Sequence, residues 1–110
     1  MQDLTQKKCV ACEGGIPVLT KQDAEAFLTH TPFWTLSPDA TFITRQFSLK
    51  DFKEALAFAN RIGDIAEEEG HHPDLMVSWG KVGVHLTTHA VKGLSENDFI
   101  LAAKIDLLEK

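Results

Sequence analysis

The chain has 110 residues, of which 44% are hydrophobic and 25% are charged, and its formal net charge at pH 7 is −5. This length fits one domain, and the apolar content argues against a disordered chain. The acidic balance argues against nucleic acid as the main partner, because such proteins need Lys and Arg to displace counterions from phosphates. The sequence also lacks an apolar run of about 18 residues that could span a bilayer, and its polar start lacks the apolar core of a signal peptide. We therefore expect a cytoplasmic protein with no nucleic-acid and no membrane partner.

Residues 1–19 are predicted to form an N-terminal arm, which contains one Cys-x-x-Cys motif at Cys9 and Cys12. In redox-active proteins this motif opens a helix after a strand, whereas here it leads into Gly14-Gly15. A zinc site would need a second pair of cysteines, which the sequence does not contain. The simplest interpretation is two reduced thiols in a loosely held arm, and a redox or metal role is the alternative.

Three helices are predicted within the domain formed by residues 20–110, each from a capping residue followed three positions later by an aspartate. The first helix is expected to end near His30, the second at Gly70, and the third to cover 99–108. The capping residues and their aspartates are Thr20 and Asp23, Ser48 and Asp51, and Ser95 and Asp98.

The third predicted helix is apolar on more than one side. Leu101 and Ile105 lie on one stripe, whereas Ile100 and Leu107 lie on another. A helix this broadly apolar is either deeply buried or covered by a partner subunit. Since an unpaired sheet edge would offer a second docking surface, we expect a homodimer or homotetramer.

Four strands are predicted between the helices, at 33–36, 41–47, 75–79 and 82–88, with Gly80-Lys81 as the turn between the last two. Tight turns between successive strands indicate an antiparallel sheet. The order α-β-β-α-β-β-α therefore predicts an α+β fold of two layers, a four-stranded antiparallel sheet with helices on one face. Alternation along the last strand places His85 and His89 on the same side of the sheet.

Four of the five histidines lie between positions 71 and 89. Histidine can both donate and accept a proton near neutral pH. Pro73 restricts His72 to an extended backbone, so we expect the imidazoles of His71 and His72 to point in different directions. Glu67 lies one helical turn before His71, where a carboxylate can hold an imidazole by its second nitrogen. The alternative is a helix end at which histidines interact favourably with the helix dipole.

A metal site is a competing interpretation, because Glu and His are common ligands. His85 and His89 lie roughly 13 Å apart along the predicted strand, too far to share an ion. The adjacent His71 and His72 would have to curl back on each other to do so. We therefore expect no metal ligands and no cofactor.

A longer pattern surrounds these histidines. It runs Glu67-x-x-x-His71-His72-Pro73, Trp79, Lys81-Val82, Leu86-x-Thr88-His89 and Gly93-Leu94-Ser95-x-x-Asp98. Two upstream segments belong to it, Phe33-Trp34-x-Leu36 and Phe47-Ser48-Leu49-Lys50-Asp51-Phe52. The whole pattern resembles the pterin-4a-carbinolamine dehydratase family, and the resemblance covers nearly everything from Thr20 onward.

The resemblance implies an enzyme that dehydrates a 4a-hydroxytetrahydropterin to quinonoid dihydropterin and water, which recycles the pterin cofactor of aromatic amino acid hydroxylases. His71 and His89 match the proton-transfer histidines of the family, and His72 matches the residue that holds the pterin. Glu67 would orient His71. This chemistry agrees with the absence of a phosphate-binding loop, a dinucleotide fingerprint and a nucleophile elbow from the sequence.

Three further residues of the pattern keep two interpretations each. Asp98 would orient His89, or would only cap the third helix. Trp34 would line the pterin pocket, or would pack in the core, whereas Trp79 is expected in the core of the sheet. At the level of function, the alternative to the enzyme is a non-catalytic module that binds a pterin or a protein partner, as some relatives do.

Overall fold

The computed structural model describes residues 4–7, 9 and 17–108, and it confirms the predicted order of elements. The helices are α1 (Lys21–Leu28), α2 (Phe52–Glu69) and α3 (Glu96–Asp106), and the strands are β1 (Thr35–Leu36), β2 (Ile43–Ser48), β3 (Asp74–Ser78) and β4 (Lys81–Leu86). Two short 3-10 helical turns, Leu4–Gln6 and His89–Val91, complete the described elements. Within the described residues, no helix is both long and apolar enough to cross a membrane, and the cytoplasmic location stays a prediction.

The four strands form one antiparallel sheet in the order β1-β2-β4-β3, so that β1 and β3 are its edges. In β4 the side chains of Val82, Val84 and Leu86 are buried, and the intervening Gly83 and His85 are half-buried. The buried side chains join those of the helices in a single core, which leaves the other face of the sheet open. This is the predicted α+β fold of two layers.

Helix α2 begins three residues later than its predicted cap. Ser48 belongs to β2 and pairs with Lys81 of β4, so it is not available to cap a helix. Asp51 is the N-cap instead, and its Oδ1 accepts a hydrogen bond of 2.9 Å from the N–H of Glu54. The helix ends at the predicted Gly70, whose φ of 66° is the left-handed conformation that glycine adopts readily.

The hairpin between β3 and β4 turns at Trp79 and Gly80, one residue earlier than predicted, because Ser78 pairs directly with Lys81. Gly80 has a φ of 73°, and its carbonyl accepts a hydrogen bond of 2.8 Å from the N–H of Leu49. Trp79 lies at this turn and is 70% exposed. Its expected place in the core of the sheet is therefore wrong.

Helix α3 is buried on nearly all sides within the single chain. From Asn97 to Ala103 every residue is buried. The N-terminal 3-10 turn packs on this helix, and its Leu4 is 2% exposed in the core. The described part of the arm is thus not loosely held, and α3 owes its broad apolar surface to burial inside the chain. Cys12 lies outside the described residues.

Candidate active site

His71 follows the cap of α2 and points into the protein. The N–H groups of Gly70 and His71 both donate to the carbonyl of Ala66, which turns the chain back over the end of the helix. As a result His71 is 6% exposed, whereas the side chain of His72 is 58% exposed. The two adjacent imidazoles leave the chain in different directions, as expected before Pro73.

The buried imidazole of His71 meets the carboxylate of Asp98 in the first turn of α3. Nε2 of His71 lies 2.6 Å from Oδ1 of Asp98, and the two side chains are 7% and 0% exposed. The other oxygen, Oδ2, accepts hydrogen bonds from the Thr88 hydroxyl at 2.7 Å and from the Ser95 N–H at 3.0 Å. A carboxylate only accepts hydrogen bonds, so the hydrogen in the contact with His71 belongs to Nε2.

Asp98 therefore has one of its two predicted roles together with a role that was not predicted. It caps α3, because its carboxylate accepts from the N–H of the N-cap Ser95. It orients a histidine as well, but that histidine is His71 rather than His89. The sequence could not distinguish the two, since both lie far from position 98 along the chain.

Glu67 does not orient His71, contrary to the prediction. Its carboxylate pairs with Nε2 of His72, and the two side chains are 79% and 58% exposed. The expected spacing of one helical turn assumed that α2 continues to position 71. The left-handed Gly70 ends the helix first and turns His71 inward, so that His72 takes the place next to Glu67.

His89 and His85 do not share a strand face, contrary to the prediction. Strand β4 ends at Leu86, and the exposed His89 begins the following 3-10 turn. His85 lies on the open face of the sheet, where it stacks on Phe42 with ring centroids 4.4 Å apart. Its Nδ1 is 3.6 Å from Oδ2 of Asp74 on β3. His89 directly follows Thr88, whose hydroxyl bonds Asp98, so the site brings its backbone close to the His71–Asp98 pair.

Trp34 lies away from these histidines. It is 3% exposed, and its Nε1–H donates a hydrogen bond of 2.8 Å to Oδ1 of Asp106 at the end of α3. Asp98 and Asp106 are eight helical residues apart, or about 12 Å along the axis. Burial raises the pKa of Asp106, and this effect outweighs the hydrogen bond from Trp34 and the charge of Arg45. The position of Trp34 agrees with core packing.

Two hydroxyl groups of the site were not singled out from the sequence. Thr88 gives its hydrogen to Asp98, and its Oγ1 lies 2.8 Å from the Oγ of Ser95, which must therefore donate to it. Both side chains are buried. The available signal was the alternation along β4, which places Thr88 on the side of the core, where a hydroxyl requires a partner.

The open face of the sheet carries a shallow hollow of about 450 Å³. It is lined by parts of β2, β3 and β4, including His85, Asp74 and Met76, and its lining does not include His71, His72 or His89. Among residues 4–7, 9 and 17–108, no group of three or more His, Cys, Asp or Glu side chains is arranged to hold a metal ion.

Comparison with known proteins identifies relatives along nearly the whole chain. A family profile described as pterin 4 alpha carbinolamine dehydratase matches residues 17–108. A protein of Methylococcus capsulatus is 50% identical, with 96% of this chain and 92% of the relative covered. One of Halorhodospira halophila is 48% identical, with 96% of each covered. Both carry the provisional name pterin-4-alpha-carbinolamine dehydratase.

A solved structure is also similar to this one. It is the crystal structure of a transcriptional coactivator/pterin dehydratase from Brucella melitensis, with a TM-score of 0.76 and 31% identity. The match covers 82% of this chain and 96% of that protein. Fold, family profile and relatives agree, and this chain belongs to the pterin 4 alpha carbinolamine dehydratase family.

Proposed function

We propose that this protein is a pterin-4a-carbinolamine dehydratase, a hydro-lyase that converts a 4a-hydroxytetrahydropterin into quinonoid dihydropterin and water. Membership of the family and the names of the relatives support this reaction. The observation that carries the acid–base mechanism is the buried contact of 2.6 Å between His71 Nε2 and Asp98 Oδ1. A carboxylate that fixes one nitrogen of an imidazole prepares the ring for proton transfer.

The reaction breaks the bond between C4a and its hydroxyl oxygen and removes the hydrogen from N5. The oxygen takes up one proton and leaves as water, and the electron pair of the N5–H bond forms the new C4a=N5 double bond. One proton is donated and one is accepted, so the step needs an acid and a base but no oxidant. Acid–base catalysis of about 10²–10⁴-fold is enough for a substrate that already tends to lose water.

His71 and His89 are the proposed proton-transfer groups. Because Asp98 holds Nε2–H of His71, this imidazole exchanges its proton at Nδ1. The Asp98 charge then stabilises the imidazolium that forms when His71 accepts a proton. His89 follows Thr88 in the chain and is exposed, so its imidazole is accessible to a substrate beside the same carboxylate.

His72 is proposed to hold the pterin, with Glu67 as its support. Both side chains are exposed and paired with each other, which leaves them accessible to the polar edge of a pterin ring. The product would be reduced again for use by aromatic amino acid hydroxylases, which places the protein in pterin recycling.

The test is a stopped-flow measurement of the decay of 4a-hydroxytetrahydropterin with and without the protein. We expect the decay to accelerate in proportion to protein concentration. A His71→Ala/His89→Ala double variant, confirmed as folded by circular dichroism, is the control and should give a rate close to the uncatalysed one. A wild-type rate equal to the uncatalysed rate contradicts the proposed reaction.

The alternative is a non-catalytic module that binds a pterin or a protein partner. It is favoured by the name of the Brucella melitensis structure, which includes a coactivator role for that protein. The same decay assay distinguishes the two functions when it is combined with a pterin titration. Pterin binding without acceleration of the decay would support the module.

We also propose that the protein is a homodimer or homotetramer, although α3 no longer supplies the reason. The edge strand β3 has one unpaired side and exposes Leu75 and Met76, and Trp79 is exposed at the adjoining turn. An exposed apolar strand edge can pair with a second copy. Light scattering should give a multiple of 12.2 kDa at micromolar concentration, and a monomer mass would contradict this proposal.

A further inference from the structure

The two members of the His71–Asp98 pair belong to different elements, and their separation depends on how those elements meet. His71 follows the end of α2, whereas Asp98 lies in the first turn of α3. A displacement of about 1 Å between catalytic groups can cost on the order of 10²-fold in rate. The junction between the end of α2 and the start of α3 therefore matters for the proposed reaction.

Glu69, the last residue of α2, is the buried charge at this junction. Its side chain is 3% exposed, and its Oε2 accepts from Nζ of Lys104 on α3 at 2.6 Å. Its Oε1 accepts the backbone N–H of Cys9 at 2.9 Å. A buried carboxylate is stable only when its oxygens are bonded, so Glu69 ties α2 to α3 and to the N-terminal arm.

The arm also contacts the start of α3 on both sides of one peptide. The thiol of Cys9 donates to the carbonyl of Asn97 at 3.6 Å, and Lys7 forms an ion pair with Glu96. Asn97 directly precedes Asp98, and Glu69 lies two residues before His71. The arm therefore joins the two short segments that carry the buried pair, although it precedes residue 17, where the family profile begins.

We propose that Glu69 is a positioning residue for the His71–Asp98 pair, and that the arm holds the pair in place through the Cys9 N–H bond to Glu69. This inference rests on the proposed function for its effect on catalysis. It gives a role to the segment around the Cys-x-x-Cys motif that depends on the Cys9 backbone and requires neither disulfide nor metal.

The first test is nitrogen and proton NMR of the His71 imidazole in wild type, Glu69→Ala and Glu68→Ala. Glu68 is the matched control, because it is the same residue type, adjacent on α2 and exposed. We expect a slowly exchanging Nε2–H signal in wild type and Glu68→Ala. In Glu69→Ala we expect this signal to be broadened or lost, with a shifted His71 titration. This readout does not depend on turnover, so it remains decisive if the wild type proves inactive as a dehydratase.

The second test is kinetic. Glu69→Ala should lower kcat by about tenfold with KM changed by less than about twofold, because misplaced acid–base groups slow chemistry more than binding. Glu68→Ala should behave as wild type. A change in KM alone would contradict a positioning role.

A second pair of variants covers the case in which Glu69→Ala fails to fold. Cys9→Pro removes the backbone N–H that donates to Glu69 and leaves α2 and α3 unaltered. Cys9→Ala keeps that N–H and removes only the long thiol contact. We expect the His71 signal and kcat to change in Cys9→Pro and to stay as in wild type in Cys9→Ala. An unchanged His71 signal and kcat in folded Cys9→Pro would overturn the inference.

Discussion

The adjacent residues His71 and His72 form two imidazole–carboxylate pairs with opposite surroundings. The His71–Asp98 pair is buried, with side chains 7% and 0% exposed, whereas the His72–Glu67 pair is exposed at 58% and 79%. Solvent screens the exposed pair, so its contribution to stability is about 0–1 kcal/mol. Breaking a buried pair leaves one polar partner without compensation and costs about 3–5 kcal/mol. The same two residue types therefore fix a proton in one pair and leave the other adaptable for binding.

The largest expected effect comes from replacing the carboxylate of the buried pair. Asp98→Asn should lower kcat by about 10²–10⁴-fold, because an amide does not stabilise an imidazolium as a carboxylate does. Glu67→Gln makes the same chemical change in the exposed pair and should alter kcat by less than about threefold. Stopped-flow decay of 4a-hydroxytetrahydropterin measures both. Equal losses in the two variants would remove the distinction between the pairs.

The next effect separates His89 from His85. His89→Ala should lower kcat by about 10²-fold or more, since it removes one proposed acid–base group. His85→Ala should change kcat by less than about threefold, because His85 lies on the open sheet face. The double variant His71→Ala/His89→Ala should be slower than either single variant. Wild-type activity in a folded His89→Ala protein would refute the assignment of this residue.

His72 should affect binding more than chemistry. Because it is proposed to hold the pterin, His72→Ala should raise KM by about tenfold and change kcat much less. His71→Ala should show the opposite split, with kcat lowered most. Steady-state kinetics on both variants sharpen the comparison between the two pairs. A drop in kcat alone for His72→Ala would move this residue into the proton-transfer group.

The smallest expected effects concern two aspartates away from the histidines, whose pKa values shift in opposite directions. Burial raises the pKa of Asp106, so its contribution to stability is present below 3.8 and is lost as the pH rises through the folded value. Hydrogen bonds from Thr41 and Ser37 lower the pKa of Asp39, so its contribution is present above 3.8 and is lost as the pH falls.

Urea unfolding of Asp106→Asn and Asp39→Asn against wild type, at several pH values on both sides of 3.8, should therefore give stability differences with opposite slopes. Slopes of the same sign would show that one of the two environments is misjudged. Neither variant is expected to change the activity assigned to the histidines.

Local sequence signals determined the elements of this fold. Capping at Thr20 and Ser95 and the glycine stop at Gly70 are interactions within about one helical turn, so residue order alone is enough to read them. Alternation along β4 likewise predicted which of its side chains are buried. The cap at Ser48 failed because pairing with Lys81 on another strand took that residue into the sheet.

The partners inside the site were decided by the tertiary structure. The sequence named His71, His72, Glu67 and Asp98 as candidates, but it assigned Glu67 to the wrong histidine. The choice depends on the chain reversal at Gly70, which turns His71 towards a helix that begins 25 residues later in the chain. In the same way, the burial of α3 follows from the packing of the N-terminal turn, which no pattern within α3 could reveal. Short-range hydrogen bonds and periodicity fix elements, whereas a contact between distant residues exists only once the elements have packed.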